Sequence, residues 1–193
     1  ASRICSENSV IPPDSALRII LENVADSILT VNSTTKCHPQ ESYIFPVIRD
    51  RVMTGDLLGH TGETWVVLTP ACDIVRCSND YKILLAKCRG NDRYEKYLEK
   101  AKNADFGPLT SLINQGNSPK NYFLPPLNKG AVPYMVDFED LLTVRYSDLD
   151  PRAIVAAVSP KFLPNLIHRF AAYLGRPGAP DIDAQHCLNH SQQ

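Results

Sequence analysis

The chain has 193 residues, 44% of them hydrophobic, and its 20 Lys and Arg against 21 Asp and Glu leave a formal net charge of -1. That length can bury one well-packed core. Balanced charge excludes both a global basic field for nucleic acid and the acidic excess of a disordered chain; no apolar run approaches the roughly 18 residues of a membrane span.

The opening 13 residues are polar and end in Pro12-Pro13. No basic stretch followed by an apolar one suggests a signal peptide, and a chain beginning at Ala1 reads as a piece of a longer protein. After the capping pair Asp14-Ser15, Leu17, Ile20, Leu21, Val24 and Ile28 follow helical spacing to about Leu29. Asn32 to Gln40 is a polar loop, and Tyr43 to Ile48 is a short strand or the entry to one.

Thr54-Gly55-Asp56-Leu57-Leu58 is a turn feeding a strand, and Gly59 to Glu63 is a loop. Trp65-Val66-Val67-Leu68 then reads as a buried strand, because aromatic and β-branched residues pack well on a pleated surface. Thr69-Pro70 should end it, since Pro cannot donate to a ladder. Tyr81 to Cys88 is the next strand and predicts an antiparallel hairpin with the previous one.

Asp92 is expected to cap an amphipathic helix bearing Tyr94, Tyr97, Leu98 and Ala101 on one face, and a second helix follows over Pro108 to Gln115. Strands return at Asn121 to Leu124, at Tyr134 to Val144 with a bulge near Glu139-Asp140, and at Ala153 to Val158. Ser159-Pro160 opens a final helix with an apolar stripe of Phe162, Leu163, Leu166, Ile167, Phe170, Ala171 and Leu174. Gly175 and Pro177 stop it, and a polar tail follows.

The order of these elements resembles the Kid/PemK/MazF toxin barrel. Gly55-Asp56-Leu57-Leu58 is similar to that family's opening strand, Val66-Val67-Leu68-Thr69-Pro70 to its second and Ile83-Leu84-Leu85-Ala86 to its third. Val136-Asp137, Leu142-Thr143-Val144 and Val158-Ser159-Pro160 resemble its later strands and closing helix. The resemblance covers roughly residues 52–175 and rests on the order of elements. It implies an α+β fold: a small bent antiparallel barrel with an N-terminal helix, an inserted helical pair and a C-terminal amphipathic helix. The expected division is 1–51 for the lead-in, 52–175 for the barrel with its insertion at about 91–118, and 176–193 for the tail. The family's ribonucleases carry an Arg in the loop after the first strand. Here loop 59–64 carries His60 instead, and the third strand ends in Lys87-Cys88-Arg89-Gly90. The resemblance therefore speaks to fold more than to RNA cleavage. The stretch Val66 to Ile74 is also similar to motifs in bacterial proteins tied to conflict and anti-phage defence.

Cys72-Asp73, just past a strand end, is the sharpest local feature. A thiol nucleophile needs a cation or a His beside it; His60 lies across the expected hairpin loop, and Arg76 or Arg89 could supply the charge. The competing reading makes Cys72 a small hydrophobe and Asp73 a turn cap. The candidate catalytic set is thus Cys72, Asp73, Arg89 and His60. Over 82–102, Lys82, Lys87, Arg89, Arg93, Lys96, Lys100 and Lys102 stand against Asp92, Glu95 and Glu99, with Tyr94 and Tyr97 interleaved. Lys87, Arg89, Arg93 and Lys96 are the candidate nucleic-acid contacts, although a charged helix is more often simply the wet side. The six cysteines, Cys5, Cys37, Cys72, Cys77, Cys88 and Cys187, are too irregular for a disulfide scaffold or paired zinc ligands. Free thiols in the cytoplasm and no metal or cofactor are expected.

The function these signals favour is a module of a bacterial defence protein, toxin-ribonuclease-like in fold and directed at RNA or DNA, with catalysis left open. The alternatives are a sensor or scaffold domain that binds a partner protein or another domain of a longer chain, and a thiol enzyme using Cys72.

Overall fold

The computed structural model describes residues 20, 21, 24, 36–116 and 118–177. The chain divides after Cys37 into two units. In the first, Ile20, Leu21 and Val24 have helical backbone, as their spacing predicts. The rest of that helix, the tail with His186, Cys187 and His190, and Cys5 lie outside the described residues.

The second unit is an antiparallel sheet with helices. Its strands are β1 (Tyr43–Ile44), β2 (Asp56–His60), β3 (Glu63–Val67), β4 (Lys82–Gly90), β5 (Asn121–Leu124), β6 (Tyr134–Arg145) and β7 (Ile154–Val158), in the order β1-β7-β2-β3-β4-β6-β5. The helices are α1 (Ala71–Arg76), α2 (Arg93–Lys102), α3 (Gly107–Ile113) and α4 (Leu163–Leu174). Tyr43 pairs with Val158, so the sheet takes in residues upstream of 52.

Period-two alternation sorts the side chains between two cores. Leu57, Val66, Ala86, Cys88, Val136, Phe138, Ala156 and Val158 face the first, where α4 lays Leu163, Leu166, Ile167 and Phe170 across the sheet. Leu58, Trp65, Val67, Ile83, Leu85 and Val144 face the second, closed by Val52, by Ile74 of α1 and by Leu149. Each fully buried Leu or Val contributes about 1.5–3 kcal/mol, so these opposed faces hold the sheet between two apolar layers.

The turns follow their chemistry. Thr61 and Gly62 have φ of 51° and 77°, the positive pair that a type I′ hairpin demands. The expected loop 59–64 is therefore only that pair, and Gly59 and His60 belong to β2. Gly55 has φ +86°, and a Cβ there would stand 2.8 Å from Leu163 Cδ1, so glycine is required. Asp56 is wholly buried; it pairs with Arg49 and accepts the Met53 N–H at 2.7 Å. Thr69 is a staple: its carbonyl accepts the Thr54 hydroxyl at 2.5 Å and its own Oγ1 accepts the Leu84 N–H at 2.7 Å.

The sheet curls until its two edges approach one another. Among the described residues no ladder joins β1 to β5, so the sheet is open where a barrel was expected. Tyr43 of β1 instead donates its hydroxyl to the Pro125 carbonyl, just past β5, at 2.5 Å. The outer edge of β5 is capped by side chains. The Gln115 amide donates to the Phe123 carbonyl and accepts the Phe123 N–H, both at 2.8 Å, and Arg169 Nε donates to the Asn121 carbonyl at 2.8 Å. An edge whose backbone groups are occupied cannot template another strand.

Two local expectations change. The connection after Pro70 forms α1. Helix α4 starts at Leu163, because the Ser159 hydroxyl donates to the Glu41 carbonyl at 2.6 Å and ties down the start of β1 instead of capping.

Candidate functional site

On β4 the alternation that sends Ile83 and Leu85 into the second core puts Lys87 and Arg89 on the same face two and four residues later. The face turns from apolar to ionic along its length. Opposite lies the bulge of β6. Ala86 pairs with Leu141 and Lys87 with Asp137, so Phe138, Glu139 and Asp140 are extra residues in the strand. A bulge re-aims side chains. Phe138 drops into the first core, 5.3 Å from the Phe170 ring, while its neighbours turn outward to cations.

Arg89 forks onto two carboxylates, Nε to Asp137 at 3.3 Å and Nη2 to Asp140 at 2.6 Å. Lys87 meets Glu63 at 2.5 Å and Asp140 at 3.8 Å, with Nζ 5.8 Å from the Trp65 ring centroid. Lys120 bonds Glu139 at 2.6 Å, and that hydrogen bond and charge hold its ammonium above the ordinary lysine range. Asp137 also accepts the Glu139 N–H at 3.0 Å, which locks the bulge. Lys87 and Arg89 are thus committed to carboxylates.

Beside this network opens a cleft of about 590 Å³, bounded by β4, α2, α3, β5 and β6. Arg89, Asn91, Arg93, Tyr97, Lys120 and Met135 line it. Asn91, rather than the expected Asp92, caps α2: its Oδ1 accepts the Arg93 N–H at 3.0 Å, and the Asp92 side chain makes no capping bond. Arg93 and Tyr97, four residues apart, share a helix face. The Arg93 guanidinium makes no ion pair or hydrogen bond with a described residue. Tyr94 instead packs on Phe123, with centroids 6.0 Å apart.

Of the expected nucleic-acid contacts, Arg89 and Arg93 both line the cleft. Lys87 lies under its carboxylates, and Lys96 is exposed on α2 but does not line the cleft.

The expected catalytic set is not brought together. Cys72 and Asp73 lie in the first turn of α1, past the end of β3, and the Cys72 thiol contacts the Asp73 carboxylate at 3.6 Å. His60 sits before the other end of β3, whose five residues span about 13 Å at the strand rise. Arg89 is on β4 at that far end, where Cys88 pairs with Thr64. Cys88 is buried in the first core, and burial pushes its thiol far above the usual cysteine range. Cys72, Cys77 and Cys88 do not converge, and among the described residues no group of three His, Cys, Asp or Glu is placed to hold a metal.

The places of Asn91 and Lys120 in the cleft, and the ion pairs of the bulge carboxylates beside it, were not expected from the sequence. The Gly90-Asn91-Asp92 step from strand to helix is the one local signal that points to Asn91, since Asn is a strong helix cap. No family model, curated protein or solved structure matches the chain.

Proposed function

We propose that this domain is a nucleic-acid-directed module of a bacterial defence protein, related in fold to the Kid/PemK/MazF toxins, and that it holds an unpaired strand in the cleft at the end of β4. The observation that carries this reading is Arg93, a cation with no partner among the described residues, beside Tyr97 in the same cleft. A guanidinium meets phosphate in a planar fork, and an aromatic ring takes a base face at about 1–3 kcal/mol per base. A single ring in a cleft can stack only a base free of its own helix, which favours a single strand over a duplex. The volume of about 590 Å³ falls in the range of small-ligand sites, room for a few nucleotide groups. The curled sheet and the Tyr43–Pro125 bond between its edges support the barrel-like kinship.

The cleft holds Asp92 as its carboxylate and neither a His nor a Cys among its described lining residues, so the reading is of binding, with cleavage a separate question. Fluorescence anisotropy with a labelled single-stranded RNA and the matching DNA tests it. Saturable binding that weakens between about 50 and 200 mM salt is expected, and no binding at the lower salt overturns the reading. Running the same RNA on a denaturing gel shows whether it is cut.

A protein-binding surface is favoured by a different observation. Ile44, Phe45 and Ile48 are exposed by 41%, 61% and 91% in and just after edge strand β1. A thiol enzyme at Cys72 has less support, because the thiol contacts the Asp73 carboxylate and no His, Arg or Lys bonds it among the described residues, so nothing there activates it as a nucleophile.

A further inference from the structure

We propose that Asn91 and Arg93, at the amino end of α2, form the seat for one phosphate group of the bound strand; this rests on the nucleic-acid reading of the cleft. Asn91 is only 8% exposed. Its Oδ1 accepts the Arg93 N–H at 3.0 Å, which fixes the amide with oxygen toward the helix and nitrogen away from it. That Nδ2 has no hydrogen-bond partner among the described residues, and it is not sealed from solvent, since no fully buried side-chain nitrogen or oxygen lacks a partner. Asn91 lines the cleft. The donor is open to the cleft's solvent on an otherwise buried side chain, where a ligand that brings an acceptor can take the place of water.

Two further features select an anion. Helix α2 runs for 10 residues, and the positive end of its dipole points at the seat. The Arg93 guanidinium adds a full charge. Tyr97 stands four residues on, about 6 Å along the helix axis, the span from a phosphate to the base of one nucleotide. Asp92 also lines the cleft, and its carboxylate opposes the anion.

Asn91→Asp exchanges the donor for a carboxylate oxygen and adds a charge, and Asn91→Ser removes the donor without the charge. The aspartate keeps an oxygen for the Arg93 N–H and is as good a helix cap as asparagine, but it sets a carboxylate oxygen where the Nδ2 donor was. With the full chain and the labelled single-stranded RNA, Asn91→Asp should weaken binding by about tenfold or more while the thermal midpoint holds or rises. Asn91→Ser, which keeps a capping oxygen without adding charge, should also weaken it and covers the case of a misfolded aspartate variant. Arg93→Gln should weaken binding and reduce the salt slope by about 1, and Asp92→Asn should strengthen it. If wild type and Tyr97→Ala differ while both folded Asn91 variants bind like wild type, the seat is wrong and the cleft reading stands. If wild type binds no RNA or DNA, the cleft reading fails and the seat falls with it.

Discussion

Tyr43→Phe removes one hydroxyl and tests what holds the curled sheet together. The ring is 9% exposed in the first core and stays there as Phe. What is lost is the 2.5 Å bond from the hydroxyl to the Pro125 carbonyl, the link across the open edges. A hydrogen bond contributes a net 0.5–1.5 kcal/mol, and a buried carbonyl stranded without a donor costs about 1–3 kcal/mol. Pro125 is half-buried, so water reaches its carbonyl and the lower figures govern. The expected loss is about 1 kcal/mol, a fall of about 2–4 °C in the melting midpoint for a domain of this size. Circular dichroism melts at neutral pH, with urea unfolding to check that the m-value is unchanged, measure it. A midpoint indistinguishable from wild type in both would refute the claim that this bond joins the edges.

Gln115→Ala uncovers the Phe123 N–H and carbonyl at the β5 edge; it should cost about 1–2 kcal/mol and promote concentration-dependent association, read by sedimentation velocity. Thr69→Val removes the acceptor of the Leu84 N–H and should destabilise by about 1–3 kcal/mol, seen as a lower urea midpoint. Burial raises Tyr122 from 10.0 to about 12 and pushes Tyr43 and Cys88 upward too, Cys88 from an ordinary 9.0. The folded state therefore keeps protons that the unfolded chain gives up. That stability is complete below about pH 9 and is lost as pH climbs through 10 toward the folded values, so melts at pH 7, 9 and 10.5 should show a falling midpoint at the alkaline end.

Much of the sheet was legible because each strand carries its own signal. Trp65 to Leu68, Ile83 to Ala86 and Ile154 to Val158 are apolar runs bounded by turn residues, and all but Leu68, which follows β3, lie in strands. The bulge at Glu139-Asp140 was legible from two acids breaking an apolar strand. Helix α1 was not, because its six residues carry a single buried side chain, Ile74, too little for a helical period. The closing bond was hidden by distance, since Tyr43 and Pro125 lie 82 positions apart and neither residue type announces the pair. The same limit governed the cleft. Charge at Lys87 and Arg89 was plain from the strand, but their carboxylate partners Glu63, Asp137 and Asp140 come from two other strands, and only pairing in space shows that the charge is spent. Arg93 was picked out beside them for the same reason, and its guanidinium meets no partner among the described residues while it lines the cleft. His60 was a candidate partner for the Cys72 thiol; strand β3 lies between them and holds them apart.

Photo-crosslinking of a 4-thiouridine-bearing single-stranded RNA to the full chain, with the modified peptides mapped by mass spectrometry, tests the central claim most directly. Crosslinks are expected on peptides carrying Tyr97 and Met135, lost in Arg93→Gln. Crosslinks centred on Phe45 and Ile48, or none at concentrations where the strand is bound, would contradict it.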